Sequence, residues 1–183
     1  MQTKQFKFQL QGTRPIMFDR YPGDNNTQLQ VMEKFYTDQD GNVVLPTLNL
    51  MSLLGSENKS VPRTFYGKAG RDIAFGVNSF VNIEEMEMPI TFSGKKIKAQ
   101  VGPHVKIMSH VARIKKANLM IPSPKTRPVI DAGWEVEFTV NYNENKYCSE
   151  TLLADLVRRG GDLGLGTFRP IFGKYKVVDV KEL

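Results

Sequence analysis

Apolar and polar side chains alternate over residues 4–11, with Phe6, Phe8 and Leu10 on one side, and this predicts a half-buried strand closed by Gly12. The same period returns over 134–140, where Trp134, Val136, Phe138 and Val140 alternate with polar neighbours, and over 174–180. Two stretches read as helices before the middle of the chain. Residues 48–54 follow Pro46 with Thr47 as candidate cap, and residues 65–80 are weakened by Gly67, Gly70 and Gly76. A third helix is predicted over 150–159. Ser149 caps it, Glu150 and Arg158-Arg159 suit its dipole, and Gly160 ends it. Residues 21–26 and 38–42 carry turn chemistry, and the polar stretch 55–62 is expected on the surface. In the middle, short strand-like pieces at 90–92, 96–101 and 105–107 meet at Ser93-Gly94 and Gly102-Pro103, as projecting hairpins would. Residues 111–121 suggest a further strand, and Pro122, Pro124 and Pro128 a stiff loop after it.

With the middle set aside, the order is strand, helix, strand, strand, helix, strand. That is the ferredoxin-like or RRM-like split β-α-β order of the α+β class, an antiparallel sheet with helices on one face. The expectation is one RRM-like domain over 1–183, with 83–110 as a basic β-hairpin insertion. No internal repeat is present.

Charge sharpens this picture through its distribution. The chain has 183 residues and a formal charge of +6, with 40% hydrophobic and 24% charged residues, an ordinary composition for a folded protein. Residues 88–130 hold nine Lys or Arg and no acid, while both flanks carry a slight acidic excess. Unmatched like charges repel, so such a block points to an anionic partner. Its members are Lys95, Lys96, Lys98, Lys106, Arg113, Lys115, Lys116, Lys125 and Arg127. The single cysteine, Cys148, excludes an internal disulfide and fits a reducing compartment. No apolar run approaches the roughly 20 residues that span a bilayer. The expectation is a cytoplasmic protein, of a bacterium or a phage-infected host cell, with no membrane partner.

A glycine-rich loop, Gly164-Leu165-Gly166-Thr167-Phe168-Arg169-Pro170-Ile171-Phe172-Gly173, lies between the last helix and the last strand. Glycines leave backbone N–H groups open to a phosphate, and Arg158, Arg159 and Arg169 lie nearby in sequence. A helix C-cap followed by a tight turn would explain the same glycines. The loop resembles the glycine-rich loop of the RAMP superfamily, RRM-like proteins that bind guide RNA in CRISPR effector complexes. Residues 40–50 resemble the segment that opens the first helix of that superfamily. The closing pattern is also similar to that of small phage proteins. The final Gly-x-Gly reads Gly173-Lys174-Tyr175 here, and Thr47-Leu48-Asn49 stands where that segment has small residues. The resemblance implies an RRM-like fold, RNA binding and assembly of copies along a strand.

Other chemistry is sparse. Phe92, Phe168 and Phe172 could stack on bases, and Met108 and Met120 could wedge between them, although such residues more often pack in the core. His104 and His110 are the only histidines, and a RAMP-type nuclease would use one of them. Asp38, Asp40 and Asn42 lack the glutamate that closes a calcium loop. No cofactor, metal or catalytic set is expected. The reading is non-catalytic binding of RNA or single-stranded DNA through the basic block and through Gly164, Gly166, Phe168 and Arg169, with a homo-oligomer or filament as a possible form. The alternatives are a phage structural or assembly protein that meets an acidic partner, and a metal-independent endoribonuclease.

Overall fold

The computed structural model describes residues 3–183, apart from the side chains of Ala112, Ile114 and Lys116. Its strands are β1 (Thr3–Gly12), β2 (Ile16–Met17), β3 (Tyr36–Thr37), β4 (Val43–Pro46), β5 (Val81–Ile83), β6 (Glu87–Pro89), β7 (Thr91–Phe92), β8 (Lys95–Lys96), β9 (Val105–Lys116), β10 (Leu119–Ile130), β11 (Trp134–Asn143) and β12 (Tyr175–Glu182). The helices are α1 (Thr47–Gly55), α2 (Val61–Phe65), α3 (Gly70–Phe80) and α4 (Glu150–Leu163).

Alternation places β1 and β11. They pair antiparallel with Phe8 opposite Phe138, and the two rings stack with centroids 5.4 Å apart. Phe6, Leu10, Trp134, Val136, Val140 and Tyr142 are buried on the same side. They share one core with Leu50, Leu53 and Leu54 of α1 and with Leu153, Leu156 and Val157 of α4. The edges follow: β12 pairs with β1 and β5 with β11, all antiparallel. The resulting order β12-β1-β11-β5 is the RRM-like α+β arrangement the sequence predicts. The opposite face carries Gln5, Lys7, Gln9, Glu137 and Asn141, and Lys7 pairs with Glu137 at 2.7 Å. No described helix is long and apolar enough to cross a membrane.

Helix α4 begins as expected, with the Ser149 hydroxyl accepting the Leu152 N–H at 3.2 Å. Gly160 is part of α4 rather than its stop. A Cβ there would lie 2.3 Å from the Tyr175 hydroxyl, which passes close to donate to the Val157 carbonyl at 2.7 Å. The single helix expected over 65–80 is α3 from Gly70 onward, preceded by the last residue of α2 and a 3-10 turn over Gly67–Ala69. Gly67, at φ 53°, breaks the run, and Gly70 lets the chain pass the Pro62 carbonyl, 2.3 Å from where a Cβ would stand. The stretch expected on the surface turns inward at its end: Ser60 and Val61 are buried, and the Ser60 hydroxyl donates to the Ser56 carbonyl.

The largest departure lies in the middle. Residues 87–96 form short strands against the body, and the projecting hairpin is β9 with β10, twelve residues each. The expected insertion 83–110 meets it only at its first residues. The expected proline loop is strand β10. Pro122, Pro124 and Pro128 are an even number of residues apart, so their nitrogens point to one side, away from β9. The Pro128 carbonyl accepts from Phe18 N on that side, which shows the direction. Beyond β2, which pairs only with Val129 and Ile130, that side of β10 needs no donor.

Candidate nucleic-acid interface

The glycine loop and the hairpin meet at Met17. Met17 pairs with Val129 of β10, and its carbonyl accepts the Thr167 N–H at 2.9 Å. Gly166 permits the approach, because a Cβ there would lie 2.6 Å from the Met17 oxygen. The N–H groups of the loop glycines and of Leu165 are occupied within the chain, Gly173 donating to the Pro15 carbonyl at 2.7 Å. Gly164 donates to Gly160, Leu165 to Gly173, and Gly166 to the Asn49 side-chain oxygen at 3.0 Å. Gly164, Gly166 and Gly173 have φ near +80°, and a Cβ on Gly173 would lie 1.8 Å from the Leu165 oxygen. The glycine N–H groups that the expected phosphate cradle would use are therefore spent within the chain. Arg169 belongs to the same loop: the half-buried guanidinium donates to the Gly164 carbonyl at 3.4 Å, and burial lowers its pKa.

At the hairpin base, Arg127 is buried at 7% exposure. Its Nη2 lies 2.7 Å from the Asp19 carboxylate and its Nη1 2.6 Å from Nε2 of His110. A guanidinium only donates, so Nε2 accepts and the neutral ring carries its proton on Nδ1. Burial, and then the Arg127 charge, hold the His110 pKa below its ordinary 6.5. Phe168 closes the cluster, edge-on to His110 at 4.6 Å and 5.4 Å beneath the Arg127 guanidinium. It keeps 37% exposure. Arg127 is thus a structural cation, and Phe168 is the accessible aromatic at the hairpin base.

The other basic positions divide by environment. Arg113 and Lys115 are exposed on β9, and Lys125 is half-buried on β10 opposite His110. Among the described residues, none of these three has a carboxylate within ion-pair reach. The Lys116 side chain lies outside the described residues. Lys106 pairs with Asp131 at 2.8 Å where β9 begins. Lys95, Lys96 and Lys98 are exposed around β8, with Lys96 3.9 Å from Asp38 and Lys98 donating to the Asp40 carbonyl at 2.6 Å. Arg158 and Arg159 stand apart on α4. Both pair with Asp155, and Arg159 lies over the Phe65 and Tyr66 rings. These partners thus lie on α4 and beside α2 rather than in the glycine loop.

Of the apolar side chains that accompany the hairpin cations, sequence reasoning named Met108 and Met120 but missed Val111 and Leu119. Val111, Leu119 and Met120 are 64%, 69% and 58% exposed. The cross-strand register would have revealed them, since Lys115 faces Met120 and Arg113 faces Pro122. Phe172, the third candidate for stacking, belongs to the loop turn, where its N–H bonds to the Phe168 carbonyl at 3.2 Å. No group of three or more metal-ligating side chains occurs among the described residues.

No protein-family model matches the sequence, and no curated protein matches it. Among solved structures, the fold aligns with a chain in the cryo-EM structure of the type III-B Cmr-beta bound to cognate target RNA, with a TM-score of 0.66 at 11% identity. The alignment covers 99% of this chain and 61% of that one, so this chain spans about three-fifths of its neighbour's length. At that identity the likeness is one of fold, and the fold is an RRM-like α+β fold.

Proposed function

We propose that this protein binds RNA without cleaving it, through the β9–β10 hairpin and the Phe168 ring at its base. The observation that carries the reading is the hairpin itself. It projects Arg113, Lys115 and Lys125 with no described carboxylate nearby, beside exposed apolar side chains. Cations of this kind track a phosphate backbone without reading sequence, and a neighbouring ring or apolar side chain can stack against an unpaired base. The polar sheet face, with Gln5, Gln9 and Asn141, offers no comparable surface. Single-stranded DNA has the same backbone, and a 2′-hydroxyl contact would separate the two.

Anisotropy titrations of single-stranded RNA across a range of salt test this. Affinity should fall steeply with salt, and Arg113→Glu with Lys115→Glu should lower the log–log slope by about 1.4, near 0.7 per lost contact. An unchanged slope and affinity in the folded double variant would remove the hairpin from the interface. Val111, Leu119 and Met120 favour a second reading, in which the hairpin docks on an acidic protein surface. Absence of RNA binding by the folded parent protein would leave that reading in place.

A further inference from the structure

Gly133 has no Cβ, and one placed there would lie 3.0 Å from Cζ of Phe92. Phe92 is fixed from both sides, pairing with Trp134 of β11 and Lys95 of β8. His104 stacks on the Phe92 ring, with centroids 3.7 Å apart and planes 9° from parallel. The backbone holds His104 there, its carbonyl accepting the Asp131 N–H at 2.9 Å. A cavity of about 280 Å³ opens beside this stack, lined by Ile97 and Val105 and by the three lysines Lys95, Lys96 and Lys98. The imidazole is half-exposed and the lysines are exposed. A preformed flat stack with three exposed cations at its rim, Lys96 within 3.9 Å of Asp38 and Lys98 donating to the Asp40 carbonyl, matches a ligand that joins an aromatic ring to a phosphate. Lysine suits the phosphate, being a compact point charge on a flexible stem.

We propose that this cavity binds one nucleoside 5′-monophosphate unit, its base continuing the Phe92–His104 stack and its phosphate lying among Lys95, Lys96 and Lys98. The cavity lies at the small end of ligand pockets, which run from about 300 to 1,000 Å³, so it suits a single nucleotide. Any base serves, because every base presents a π-face. The choice of ligand rests on the nucleic-acid reading above, but Val105 is the one hairpin residue that lines the cavity, and Arg113, Lys115 and Lys125 do not. The unit is either a free nucleotide or the phosphorylated end of a strand.

With only two histidines in the chain, the imidazole proton resonances of His104 are assigned by their loss in His104→Ala. Adenosine 5′-monophosphate should move them upfield, saturably, by ring-current shift. Adenosine should need about tenfold more ligand, and Lys95→Ala, Lys96→Ala, Lys98→Ala combined should weaken the nucleotide by a similar factor, as expected for three exposed ion pairs. A pentanucleotide that acts at lower concentration with a 5′-phosphate than with a 5′-hydroxyl identifies a strand end as the source. Equal action of the two pentanucleotides, with the mononucleotide the tighter ligand, identifies a free nucleotide. Resonances that stay fixed in millimolar adenosine 5′-monophosphate, or that respond equally to adenosine, overturn the proposal. The hairpin reading fails separately, when Arg113→Glu with Lys115→Glu leaves the affinity for long RNA unchanged.

Discussion

Arg127 lies between Asp19 and His110, and replacing it strips a carboxylate and an imidazole nitrogen of their donor. Arg127→Met should cost about 1–3 kcal/mol, read as a lower melting temperature, because a partner left unsatisfied loses its compensation for desolvation. Affinity for RNA in the fraction that stays folded should change far less than in the Arg113 and Lys115 variants. His110 adds a pH dependence. Its unfolded value is the ordinary 6.5 and its folded value is lower. As pH falls through 6.5 the unfolded chain takes up the proton first, so stability declines until the folded ring also charges. His110→Gln keeps an acceptor for Arg127 and should flatten the melting temperature between about pH 7 and pH 5.5. A parent protein with no decline in that window would show that the ring is not held neutral. At this scale the sequence supplied the cations but not their partners. Arg127 reads as one of nine alike, and only the β2–β10 pairing brings Asp19 to it.

Among the elements, the glycine loop and the hairpin gain their roles from contact with each other. Gly166 stands at φ 77° against the Met17 carbonyl, and its own N–H is bonded to Asn49. Gly166→Ala should therefore destabilise by about 1–3 kcal/mol through strain and displaced backbone. Folded Gly166→Ala protein should still bind RNA like the parent. A loss of affinity larger than the loss of stability explains would return the loop to the interface. The motif was legible as glycine-requiring, and its position between α4 and β12 was legible as well. Whether its N–H groups face a ligand or the chain was not, because that depends on Met17 and Asn49, remote in sequence. Strands β1 and β11 and helix α4 were legible for a simpler reason: each buries one regular face, so its period is written in neighbouring residues. Strand β10 has no such period, and its prolines conceal a strand whose second edge is largely free. Their even spacing was the available signal.

Across the whole molecule, charge and architecture are segregated in the same way. The helices and one sheet face close the core, the other sheet face is polar with Lys7 matched to Glu137, and residues 105–130 of the hairpin carry six Lys or Arg and no acid. An excess placed on one projecting element steers an anionic strand to that element, and salt weakens the encounter. The proposed binding without cleavage turns on His110. A general base in RNA cleavage needs a free basic nitrogen within reach of the attacking hydroxyl. Here Nε2 accepts from Arg127, and Nδ1 is buried without a partner. Protonation would set the imidazolium against the guanidinium 2.6 Å away, so the ring is equally ill-suited to act as the acid. Bound single-stranded RNA should accordingly remain intact through prolonged incubation in chelator, as read on a denaturing gel, at every pH from about 5 to 8 where a histidine base would act. His110→Ala should leave that result unchanged while lowering stability. Cleavage by the parent that vanishes in His110→Ala, with RNA affinity retained, would mean that the Arg127 bond opens when the strand binds and that the hairpin base is a catalytic site.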